Sequence, residues 1–422
     1  MRRILFPILV VALLAALTTP ARAAPGDLDA YLGGDGVVTA FPNGAIATAV
    51  AIDHHDRILV AGYTLRDDPD LALARFTAAG RLDPSFDGDG RLILDLGGGD
   101  YAFDVAIASD GAIVVVGERS GAEDRVAVVR LRPNGRLDPA FGGDGVVLTS
   151  FGRRFQSANA VGLMADDRIV IAGSTSNGST GRSALARYRT DGRLDRSFGG
   201  DGRVTLDLSP SGERFDDVVV LPGGAIVAAG SAERSLVPRF SVARVRVDGT
   251  LDDAFGRRDS GFTLLDVGPG PDVGHALVVR PDGRMVVVGS TAGDPRGGWA
   301  IVGLGPKGRL DPGFSGDGLL VTGSSTGAGA AFAVLTQANG RLLVAGRVHR
   351  RATEDDLAVL RLKPGGGRDL AFGTDGMATV DVGGRSDTAR DATLQPNGKL
   401  VLVGDGALDG HRRFVAARLL TR

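Results

Sequence analysis

An arginine followed eight residues later by an aspartate recurs along this chain, as Arg75/Asp83, Arg130/Asp138, Arg187/Asp195, Arg244/Asp252 and Arg361/Asp369; Arg418 finds its counterpart in Asp29 only if the two ends of the chain meet. A guanidinium can hold a carboxylate with two hydrogen bonds and so fix the shape of a loop. A pair present once per repeat is architecture, because function concentrates where repeats differ. A second series, Asp35, Asp89, Asp144, Asp201, Asp259, Asp317 and Asp375, sits mostly between glycines. Calcium takes about six to eight oxygens, and the spacing of acidic ligands that ends in a Glu is absent, whereas Asp between glycines makes an Asx-type turn. No cofactor is expected, with calcium at these turns the one metal alternative left open.

Two motif matches carry no chemistry. Gly323-Ser324-Ser325-Thr326-Gly327 fits a nucleophile elbow but lies between strands and not on a strand-to-helix turn. Gly303-Leu304-Gly305-Pro306-Lys307-Gly308 fits a dinucleotide fingerprint, yet no helix follows to present its amides to a pyrophosphate. His54, His55, His349 and His411 show no metal-ligand spacing beyond the adjacent first pair.

The elements that hold these residues repeat. Leu28-Asp29, Leu82-Asp83, Leu137-Asp138, Leu194-Asp195, Leu251-Asp252, Leu310-Asp311 and Arg368-Asp369 follow one another at 54, 55, 57, 57, 59 and 58 residues. Each period reads as four short strands: in the second, Val105 to Ala108, Ile113 to Gly117, Val126 to Leu131 and Val146 to Thr149. Asp110-Gly111, Asp282-Gly283, Asn339-Gly340 and Asn397-Gly398 supply tight turns between the first two strands. Seven units of four antiparallel strands predict an all-β, seven-bladed β-propeller. The chain opens with one strand, Val37 to Phe41, and ends with a third-type strand, Phe414 to Leu420. The first strand is therefore expected to complete the last blade and remove two exposed sheet edges. An open solenoid fits less well, since its coils are shorter than this unit.

The succession of a strand, Asp-Gly, an Ile-Val-Val-Gly-like strand, a Leu-x-Arg strand and Leu-Asp-x-x-Phe-Gly-x-Asp-Gly resembles the delta-60 repeat family of bacterial β-propellers. The resemblance covers the chain beyond its leader and implies an exported bacterial propeller without a named activity. Departures are Arg368-Asp369, the insertion at Gly256-Arg257-Arg258-Asp259, and Gly303 where other copies carry Arg.

What varies between repeats is the residue just before each inner strand: Thr48, Phe103, Asn159, Asp216, His275, Phe332 and Arg390, with Asp104, Asp217 and Asp391 one step on. These should border one mouth of the central channel, where mixed charge, an imidazole and aromatic rings suit a small polar ligand. The candidate binding residues are Asp104, Asn159, Asp216, His275 and Arg390. Acid–base work by Asp104, Asp216, His275 and Arg390 would make a propeller hydrolase or lyase. The plain alternative is solvated loop charge, with Phe103 and Phe332 packed between blades. Variable loops at 174–183, 231–239 and 348–356 favour binding, as recognition commonly resides in loops on a rigid scaffold.

Composition narrows the setting. Glycine numbers 65 and hydrophobic residues reach 43% with only 5% aromatic, so the core is aliphatic. Cysteine is absent, which excludes disulfides and thiolate metal sites. Net charge is −2 and falls to −5 without Arg2, Arg3 and Arg22, against nucleic-acid binding. Those three arginines flank an apolar run from Ile4 to Thr19 that ends at Ala21-Arg22-Ala23, the pattern of a signal peptide over 1–23. The expected product is a single propeller domain over 24–422, secreted or periplasmic, monomeric and without a membrane span. Its partner would be an extracellular ligand: a carbohydrate, a protein or a surface polymer.

Overall fold

The computed structural model describes residues 23–292, 298–322, 329–350 and 354–422, without the side chain of Asp259. The expected leader up to residue 22, the elbow-like Ser324 motif and residues 351–353 of the variable loop expected at 348–356 lie outside the described residues. Seven four-stranded antiparallel sheets form a ring. In blade 2 the strands are Asp100–Ile107, Ile113–Arg119, Arg125–Leu131 and Val146–Thr149. The hairpin between the first two turns at Gly111, whose φ of 80° a side chain would strain. Leu137 then bridges back to Leu131 and brings the repeat motif onto the end of the third strand. The only helical turn among the described residues, Arg257–Asp259, takes up the insertion of the fourth repeat. No helix there is long and apolar enough to cross a membrane.

The ring closes as expected. Val37–Ala40 adds to the sheet formed by His411–Leu419, Leu400–Leu408 and Thr388–Leu394, with Val37 opposite Ala417 and Ala40 opposite Phe414. Phe41 and Phe414 meet edge to face at 4.9 Å, and Asp29 receives both Arg418 Nε and Lys399 Nζ at 2.7 Å.

Apolar residues gather in seven clusters, each spanning one blade-to-blade interface; Leu59, Leu73, Val105 and Ile113, for example, pack together between blades 1 and 2. The repeat arginine crosses the same interface. Arg187 donates to Asp195 at 2.8 Å and to the carbonyl of Val247 in the next blade at 2.6 Å, and stacks on Phe198 at 4.9 Å. All six arginine–aspartate pairs form, from 2.6 Å at Arg244/Asp252 to 3.3 Å at Arg130/Asp138. Blade 5 has Gly303 in place of that arginine, and Phe314 fills the space beside it. Arg280 takes over, donating to the Pro364 carbonyl of blade 6 at 3.0 Å.

One expectation needs correcting. The inner strand of blade 2 starts at Asp100 and not at Val105, so the variable residues lie inside the inner strands and not ahead of them. Asp100 is wholly buried and accepts the amide of Leu96, which ties the incoming loop to the strand start. An irregularity in the middle of each inner strand breaks its alternation and conceals the first half from a reading of period two.

Candidate functional site

The irregularity is a β-bulge, and it occurs in every blade. Register slips by one residue between Ala47 and Ala49, Ala102 and Asp104, Ala158 and Ala160, Phe215 and Asp217, Gly274 and Ala276, Ala331 and Ala333, and Ala389 and Asp391. The residues left unpaired are Thr48, Phe103, Asn159, Asp216, His275, Phe332 and Arg390. A bulge bends its strand and re-aims the extra side chain. Here all seven line one cavity of about 490 Å³ at the channel mouth, together with Asp104, Asp217, Asp391, Ser157, Ser174 and Arg214.

The neighbouring strand makes room for each bulge with glycine. At Gly62, Gly117, Gly173, Gly230, Gly289, Gly346 and Gly404 a Cβ would stand 1.8–2.2 Å from an inner-strand carbonyl oxygen. This is the glycine of the Ile-Val-Val-Gly-like strand, and its place in the repeat is set by the bulge opposite.

Asp104, Asp217 and Asp391 serve the ring. Each follows a bulge and accepts two backbone N–H groups, one from the residue after it and one from the next blade. Asp104 takes Val105 and Val161, both at 2.7 Å; Asp217 takes Val218 and Leu277, both at 2.6 Å; Asp391 takes Ala392 at 2.7 Å and Val50 at 2.8 Å. Burial raises all three carboxyls, Asp217 to about 7 and Asp391 to about 6, with Asp104 well above its ordinary value and mutual repulsion lifting Asp104 and Asp217 further. Both oxygens of Asp104 are thus committed to backbone amides, although its side chain borders the cavity.

Around them the charges are paired. Asp216 receives Arg214 Nε at 2.9 Å, and burial pushes its carboxyl up against that pull. Arg390 donates to the buried Asp405 at 2.7 Å, and Arg412 reaches the other oxygen of Asp405. Asn159 Nδ2 donates to the carbonyl of Phe215 at 2.8 Å, and Thr48 Oγ1 to that of Ala102 at 2.9 Å. His275 lies 4.9 Å from the ring of Phe332. Burial, reinforced by Arg214 and Arg347, brings its pKa down to about 4, so the imidazole is uncharged at neutral pH. Tyr63 meets Tyr101 edge to face at 4.9 Å, and Tyr101 stacks on Phe103 at 6.2 Å, giving the mouth an aromatic side.

Asp104, Asn159, Asp216, His275 and Arg390, far apart in sequence, are therefore brought to one cavity. Arg214 and Ser157 complete it and were not among the expected site residues. Each stands two positions before a bulge, so the period of two along the strand was the signal that placed them on the same face. The turn aspartates close their own turns: Asp144 accepts Val146 N at 2.9 Å and Asp201 accepts Arg203 N at 2.9 Å.

Residues 56–86, 108–141, 165–198, 222–255 and 337–372 match the family model described as "Domain of unknown function (DUF5122) beta-propeller". These are propeller repeats. A catalytically inactive variant of virginiamycin B lyase from Staphylococcus aureus, solved with quinupristin, is similar in structure, with a TM-score of 0.52 at 8% identity over 90% of this chain and 98% of that one. Sqt1 from Chaetomium thermophilum gives 0.50 at 14% identity over 87% and 81%. Identities this low establish a shared fold alone. No curated protein matches the sequence.

Proposed function

We propose that this chain is an exported binding module of the delta-60 type that takes a compact polyhydroxylated ligand, a carbohydrate in class, at the channel mouth. The observation that carries the reading is the set of seven bulges. The scaffold repeats its locks, turns and facing glycines, yet the seven side chains that it turns into one cavity differ in every blade but two. Phe103, Phe332 and the neutral ring of His275 offer faces to a sugar ring, while Asn159, Asp216, Arg214 and Arg390 offer donors and acceptors to hydroxyls. The deepest carboxylates are already satisfied by backbone amides, which favours holding a ligand over transferring protons.

The test is thermal shift of the purified chain against a glycan panel, with Asp216→Ala and Arg390→Ala beside it. A glycan that raises the native Tm and leaves both variants unmoved supports the reading. Equal shifts in all three would remove the site from the mouth. A hydrolase or lyase is the second reading, and His275 is the residue that bears on it. Its uncharged imidazole can accept a proton, but a base with a pKa near 4 is weak at neutral pH. Turnover of the bound ligand by the native chain, lost in His275→Ala, would favour that reading.

A further inference from the structure

Five residues before the repeat arginine, blades 2, 3, 4 and 7 carry a second arginine: Arg125, Arg182, Arg239 and Arg413. Its work is clearest where blade 4 meets blade 5. Arg239 Nη2 lies 3.5 Å from Asp266, at the end of the outer strand, and Nη1 lies 3.3 Å from the wholly buried Asp272, at the start of the next inner strand. Arg182 sits in the same way between blades 3 and 4, reaching Asp207 at 3.4 Å; burial raises the nearby buried Glu213 carboxyl to about 7, and the charge of Arg182 offsets part of that rise. At the blade 4–5 junction one guanidinium thus pairs with two acids that the loop geometry brings together.

Between blades 1 and 2 the two acids are present as Asp95 and Asp100, but the arginine is replaced by Asp70. Each of the three carboxylates brings an oxygen within 4.8 Å of the others. Asp100 is wholly buried; Oδ2 accepts Leu96 N, while the enclosed Oδ1 has no hydrogen-bond partner. Asp95 Oδ1 accepts Gly97 N at 2.7 Å, and Asp70 Oδ2 takes Arg66 Nη1, from a side chain 59% exposed, at 3.1 Å. The guanidinium of Arg119 is spent on the carbonyl of Gly97 at 2.6 and 2.9 Å. Blade 5 has Gly298 at the exchanged position, and blade 6 has Asp356, with Arg350 Nε at 3.4 Å.

We propose that the junction of blades 1 and 2 binds a hard divalent cation, calcium in class, through Asp70, Asp95 and Asp100, where sister junctions hold a guanidinium. Carboxylate oxygens are the ligands such an ion prefers, and water can complete its shell on the exposed side at Asp95. The site is separate from the channel mouth and stands or falls independently of it.

Calcium titration of the purified chain by calorimetry, with Tm followed in parallel, tests this. One bound ion is expected, with Tm rising about 2 °C per tenfold increase in calcium above Kd and falling back with chelator. Asp95→Asn, on an exposed side chain, should weaken binding at least about tenfold. Asp70→Arg restores the residue type of the sister junctions and should abolish the calcium response while leaving the metal-free Tm equal to or above that of the native chain. No binding up to about 10 mM calcium, beyond the range of weak extracellular calcium modules, would overturn the proposal. A response retained in Asp95→Asn would also overturn it, by moving the ion elsewhere, and that variant decides should Asp70→Arg fail to fold.

Discussion

Gly173 faces the carbonyl oxygen of Ser157 so closely that a Cβ would stand 2.1 Å from it, with backbone atoms as the obstacle and no flexible side chain to yield. Gly173→Ala is therefore expected to destabilise the chain by about 3 kcal/mol, as overpacking against backbone does, measured as a fall in the urea midpoint at unchanged m. It should also weaken any ligand that Asn159 contacts, because the bulge that aims Asn159 depends on the gap. A stability loss under about 0.5 kcal/mol would mean that the bulge is soft. At this scale much was legible. Aligning the repeats finds the seven variable residues, and the Gly of each second strand is plain in the sequence. Hidden were the partners: nothing in the spacing of Asp104 or Asp391 says that their oxygens lie on amides of the neighbouring blade, since those amides are more than fifty residues away along the chain.

Each blade meets the next through an apolar cluster and one guanidinium lock, and the locks differ in how much rests on them. Arg187 is buried, bonded to Asp195, Ser197 and the Val247 carbonyl, and stacked on Phe198. Arg280 meets only the Pro364 carbonyl among its hydrogen bonds to described residues. Arg187→Ala should cost about 3 kcal/mol, in the range for breaking a buried pair, and Arg280→Ala about 1.5 kcal/mol, as for one charged hydrogen bond. Urea denaturation of the two single variants checks the order, and the double variant should be additive because the sites share no partner. A larger loss in Arg280→Ala would show that blade 5 relies on its substitute more heavily than contacts suggest. The eight-residue spacing of arginine and aspartate made six locks readable. The seventh was not, because Gly303 lies on the third strand of its blade and Arg280 in the turn after the first, and their exchange leaves no fixed interval. The first half of the inner strand was missed for a related reason: a bulge resets the alternation that reveals a half-buried strand.

Over the whole ring, two sets of aspartates respond to pH in opposite directions. Asp104, Asp217 and Asp391, spread around the channel, are raised above their ordinary 3.8 first by burial and then, for Asp104 and Asp217, by repulsion from Asp391. The folded chain therefore binds more protons than the unfolded one between about pH 4 and 7, and their stabilising contribution, full below pH 4, is lost as pH rises through that window. The motif aspartates behave the other way. Burial raises Asp83 and Asp195, but hydrogen bonds from Ser85 and Ser197 and the charges of Arg57, Arg75, Arg168 and Arg187 outweigh it and hold both carboxyls below the usual range. Their contribution is present above pH 4 and lost as pH falls below it. Closure makes both effects global, because a ring whose first strand seals its last blade cannot shed one blade and leave an edge covered. Tm is thus expected to peak near pH 5, to fall steeply below pH 4, and to decline gradually toward pH 8. Asp391→Asn removes one charge of the trio and relieves the repulsion on the other two, so its decline from pH 5 to 8 should be shallower than that of the native chain. A native Tm that stays flat from pH 5 to 8 would show that the amides bonded to these carboxylates stabilise their charge fully, and that the inner ring is insensitive to pH.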